Sequence, residues 1–91
     1  MKVILEPVSG TAEENLDRAR LEIERVLAFR GSVTSVKAEG TRIIVEFEIS
    51  PKWDLLMPEK VESLKEWVPA KVRTVFKVHE VSPRVIQSRK G

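Results

Sequence analysis

The chain has no cysteine and no tyrosine, a single histidine, and only 5% aromatic residues in 91. Without cysteine it can form no disulfide, present no thiolate nucleophile and build no cysteine-ligated zinc site. The one histidine, His79, has no Ser or Cys partner at a recognisable spacing, so no nucleophile–base pair can be assembled from the motif pattern. Aspartate is limited to Asp17 and Asp54, and side-chain amides to Asn15 and Gln87. No apolar run approaches the roughly 18 residues that a membrane-spanning helix needs, so no membrane partner is expected. Glu6 breaks the opening apolar stretch where a signal peptide would stay apolar, and the expected location is cytoplasmic.

Hydrophobic residues make up 42% of the chain, mostly Val, Ile and Leu, and charged residues 33%. That mixture belongs to a globular protein, and the length to one domain. The charged set is almost entirely Glu, Lys and Arg. With so few thermolabile amides, this is the composition of a thermophile protein. Net charge is +2 but uneven. Residues 1–50 carry seven basic and nine acidic side chains (−2), and residues 51–91 carry nine and five (+4).

Hydrophobic period divides the chain into elements. Val3 to Val8 reads as a strand. Thr11 followed by Glu14 forms a capping box, and Ala12, Leu16, Ala19, Ile23, Val26 and Leu27 recur at helical spacing. The helix is predicted over about residues 12–30, closed by a left-handed Gly31. Residues 32–38 and 41–50 form a hairpin around Glu39-Gly40. In its second strand Ile43, Val45, Phe47 and Ile49 share one face and Arg42, Ile44, Glu46 and Glu48 the other. Val33 and Val36 can share a face only across a bulge, which marks their strand as an edge. Pro58 opens a second helix through Val61, Leu64 and Val68; Pro69 is expected to stop it. A last strand follows over about 71–81.

The order β-α-β-β-α-β is the split βαβ, or ferredoxin-like, arrangement. Right-handed crossovers favour an α+β fold with a four-stranded antiparallel sheet, order 4-1-3-2, and both helices on one face. Residues 1–83 are read as the single domain and 84–91 as a basic C-terminal tail. Val3, Leu5, Ile43, Val45, Phe47, Val72, Phe76 and Val78 are expected to face the helices. Ile4, Glu6, Ile44, Glu46, Glu48, Arg73, Val75, Lys77 and His79 are expected on the open face.

Little in this pattern carries chemistry. His79 could share the open face with Glu46 and Glu48, but two strand steps put them roughly 10 Å apart, so no metal is expected. Ser9-Gly10-Thr11 leads into a helix N-terminus, a generic anion site, but it lacks the P-loop residues, and Glu13 and Glu14 would repel phosphate. The first strand has no aromatic, and Phe47 points to the helices, so the base-stacking sheet of an RNA-recognition motif is not expected. Trp53 and Trp67, flanking the second helix, are read as packing residues. The chain is therefore read as non-enzymatic and without a cofactor, acting through protein contacts.

An apolar patch of Ile4, Ile44 and Val75, flanked by Glu46 and Glu48, is the expected oligomer interface of a homodimer, since a two-fold axis would set acids against bases. The alternative is nucleic-acid binding through Lys71, Arg73, Lys77, Arg84, Arg89 and Lys90, which stand against Glu80 alone in residues 71–91.

Overall fold

The computed structural model describes residues 1–82, apart from the side chains of Phe29 and Asp54. Four strands are formed: β1 (Lys2–Pro7), β2 (Gly31–Glu39), β3 (Arg42–Ile49) and β4 (Phe76–Ser82). They make one antiparallel sheet in the order β2-β3-β1-β4, which is the expected 4-1-3-2 arrangement listed from its other edge. The helices are α1 (Leu16–Leu27), α2 (Pro51–Leu56), α3 (Pro58–Glu62) and α4 (Leu64–Val72).

Alternation drives the sheet into the core on one side. Val3, Leu5, Ile43, Val45, Phe47 and Phe76 are buried in one cluster with Ala19, Ile23 and Leu27 of α1 and Leu64, Val68 and Val72 of α4. The bulge required by the Val33/Val36 spacing is present as a register shift between Val33 and Ser35, and β2 is an edge strand. The capping box also forms: Glu14 N–H donates to Thr11 Oγ1 (3.1 Å), and Thr11 N–H to Glu14 Oε1 (3.0 Å). Asn15 Nδ2 ties the turn further, donating to the carbonyls of Ser9 (3.0 Å) and Thr11 (2.7 Å).

Several elements depart from expectation. The helical stretch 12–30 is an α-helix only over Leu16–Leu27, with 3₁₀ turns at Glu13–Asn15 and Ala28–Arg30. The residue with positive φ at its end is Ala28 (φ 54°, ψ −123°), whereas Gly31 is extended and opens β2. Gly31 is needed for space: a Cβ there would lie 2.2 Å from the Glu48 carbonyl oxygen. The hairpin loop is Gly40-Thr41, because Glu39 already pairs with Arg42. Gly40, at φ 66°, supplies the positive φ that a type II′ turn wants in its first loop residue.

The 50–57 connection is itself helical as α2. Pro58 disfavours helical backbone at the residue before it, so Met57 (φ −139°, ψ 61°) separates α2 from α3. Pro69 does not stop the last helix. Leu64, Val68 and Val72, four apart, bury one stripe of α4, and that burial outweighs the single hydrogen bond the proline removes. Val72 therefore reaches the core from a helix, and the last strand begins at Phe76 instead of residue 71.

Candidate interaction surface

The helices cover one face of the sheet, and among the described residues no element covers the other. Direct cross-strand partners arrange that face in rows. The central row is Lys37, Ile44, Ile4 and Glu80 on β2, β3, β1 and β4. On one side of it lies Ser35, Glu46, Lys2 and Ser82. On the other, Glu39 pairs with Arg42 and Glu6 with Lys77. Ile4 and Ile44, directly opposed and partly exposed, form the apolar centre. Glu48 stands beyond the rows, opposite Ser32.

Sequence alternation alone misplaces the β4 contribution. The β1–β4 register shifts between Ile4 and Leu5, so that Ile4 faces Glu80 and Leu5 faces Val78. His79 occupies this bulge. Its Nε2 donates to Glu6 Oε1 at 2.7 Å, which requires the proton on that ring nitrogen because a carboxylate only accepts. This bond is the main cause holding the Glu6 carboxyl below its ordinary range; burial opposes it, and positive charge on Lys77 and Arg42 assists. The bulge also turns Glu80 outward, where strict alternation from Lys77 and His79 would have put it inside.

Ile4, Ile44, Glu46 and Glu48 thus stand on the open face, as does Lys77. Val75 does not. It lies in the turn ahead of β4, packed against the core, with its N–H bonded to Val72 O (2.9 Å) and its carbonyl accepting from Val8 N–H (3.0 Å). Arg73 follows α4 and Lys71 lies in its last turn, so neither belongs to the strand or to the open face. Arg84, Arg89 and Lys90, with the rest of the 84–91 tail, lie outside the described residues. Among the described residues no group of three or more acidic or histidine side chains is placed to hold a metal ion, and His79 is engaged with Glu6, not with Glu46 or Glu48.

The remaining surfaces carry less. A groove of about 300 Å³ beside the Ser9–Thr11 turn is walled by Glu6 and Glu13, which makes it acidic and no place for phosphate. Trp53 and Trp67 are partly buried, and the Arg30 guanidinium carbon lies over both rings, 5.2 and 5.5 Å from their centroids. Both tryptophans pack against the core cluster, the structural role expected of them. On α2, Leu55 (82% exposed) and Leu56 (69%) project outward, and a shallow hollow lies against Lys52, Trp53, Leu56 and Met57.

No family model matches the chain, and no curated protein or solved structure matches it.

Proposed function

We propose that this protein is a small non-enzymatic protein-interaction module that associates with a second copy of itself through the open face of its sheet. The observation that carries this reading is the Ile4–Ile44 pair, two branched apolar side chains directly opposed at the centre of an uncovered face and ringed by charge. An apolar centre with a polar rim is the usual anatomy of a protein interface. The β-α-β-β-α-β order and the strand sequence support the ferredoxin-like description of the fold, which hosts many unrelated functions and so leaves the argument with the surface. The non-enzymatic reading rests on the absence of Cys and Tyr and on a lone histidine already bonded to Glu6.

Four strands about 4.8 Å apart and six residues at about 3.4 Å each make a face on the order of 19 by 20 Å. That is at the small end for specific interfaces, so the expected dimer is weak and concentration-dependent. Ile44→Lys places a charge at its centre and should shift the protein to monomer without unfolding it. Light scattering across a dilution series, with circular dichroism as the folding control, measures this. A wild-type monomer at the highest concentration overturns the reading, as does a dimer indifferent to the substitution.

A second reading, nucleic-acid binding, draws support from the +4 charge of residues 51–91. Its described bases are split between two places, Lys71 and Arg73 at the end of α4 and Lys77 beside Glu6 on the sheet.

A further inference from the structure

Within the three rows of the open face, which leave out Glu48, the charges are antisymmetric about the seam between β3 and β1. In the central row, Lys37 at the β2 edge mirrors Glu80 at the β4 edge, with Ile44 and Ile4 between them. In the next row Glu46 mirrors Lys2, with a serine at each edge. Continuing the β1–β3 register one residue past Leu5 and Ile43 sets Arg42 beside Glu6 in a third row, where Glu39 mirrors Lys77 and Arg42 mirrors Glu6. Every mirrored pair is opposite in charge or matched in neutrality. Among the described residues Lys2, Lys37, Arg42, Glu46 and Lys77 form no ion pair, so their charges are available to a second molecule.

We infer that two copies of this chain pack sheet to sheet about a two-fold axis running parallel to the strands over the β3–β1 seam. This inference rests on the proposed self-association and specifies its geometry. Such an axis lays each row on its own reverse. Lys37 of one copy meets the partner's Glu80, Glu39 meets the partner's Lys77, Arg42 meets the partner's Glu6, and Glu46 meets the partner's Lys2. Ile44 covers the partner's Ile4. The alternative face-to-face axis, across the strands, sets Lys37 on the partner's Lys37 and Glu80 on the partner's Glu80, and like charges disfavour it. Two twisted sheets cross at about −30° when they pack aligned, and the long Lys37 and Glu80 side chains span the resulting divergence at the rim. An isologous contact repeats each pair twice, so one reversed charge disturbs two contacts.

The test uses the full chain. Lys37→Glu and Glu80→Lys are each expected to weaken self-association by about 10- to 100-fold, as reversal of two rim pairs should. Mixing the two variants in equal amounts should then yield a heterodimer of near wild-type affinity, because both cross pairs are again opposite in sign. The double variant Lys37→Glu/Glu80→Lys should likewise dimerise. Sedimentation equilibrium reads all four. A wild-type dimer that Ile44→Lys breaks but the two single reversals leave unchanged overturns this axis and leaves the interaction face standing. Weakened single variants that the mixture does not restore overturn the Lys37–Glu80 pairing. A monomeric wild type overturns the proposed self-association itself.

Discussion

Gly31 and Glu6 are single residues on which much local structure rests. Gly31 is extended, so its requirement is steric and not conformational. Gly31→Ala would drive a methyl into the Glu48 carbonyl, part of the β2–β3 ladder, and is expected to destabilise by about 1–3 kcal/mol, the usual range for forced overpacking. A denaturation midpoint equal to wild type would show that β2 can move aside. Glu6 has its folded pKa lowered chiefly by His79. A lowered folded value means that its carboxylate favours the folded state above the unfolded pKa, and that this contribution is lost as pH falls through the folded pKa. Thermal melts should therefore lose stability below about pH 4.5 more steeply in wild type than in Glu6→Gln. Parallel pH curves for the two proteins would mean that the His79 bond does not persist in solution.

Among the elements, α1 shows how burial ranks positions that spacing treats as equal. Ile23 is 1% exposed, Leu16 is only partly buried, and both belong to the same apolar stripe. Ile23→Ala should cost about 2–4 kcal/mol, the usual loss for a buried truncation that cannot collapse. Leu16→Ala should cost visibly less, and Arg20→Ala, on the exposed face, close to nothing. Urea denaturation of the three variants measures the order, and a larger loss at Leu16 than at Ile23 would place the helix in a different rotation. α4 makes the complementary point. Its interior Pro69 is tolerated because Leu64, Val68 and Val72 anchor it on both sides, so a breaker residue ends a helix only where packing does not hold the next turn.

For the whole molecule, the question is whether its surface favours a protein or a polyanion. Each row of the open face carries equal numbers of acids and bases, and the basic side chains there alternate with acids across the strands. Such a surface presents no continuous positive track for phosphates. In an electrophoretic shift series with duplex DNA and RNA, no retarded band is expected even near 50 mM salt, the low-salt end where phosphate contacts are strongest. A band whose affinity falls steeply with salt would instead favour the nucleic-acid reading and direct attention to Lys71, Arg73 and the basic tail.

The order of hydrophobic periods, together with the right-handed crossover rule, determined the four strands, the long first helix, the strand order, the edge position of β2 and nearly all of the buried residues, but not the helical turn of α2. Period is a local property, and the helix and strand repeats of Leu16–Leu27 and Ile43–Ile49 are unbroken. The apolar pair Ile4 and Ile44 was legible for the same reason, as were the acids Glu46 and Glu48. The start of β4, the fate of Pro69 and the removal of Val75 from the open face were not, because each depends on whether distant residues reward continuation of a local pattern. Above all, the matching of Lys37 to Glu80 and of Arg42 to Glu6 across the sheet exists only once four strands are paired in a defined register with a bulge at His79. One residue of slip would send half of those charges to the opposite face. Charge signs are written along the chain, but their pairing in two dimensions belongs to the tertiary structure.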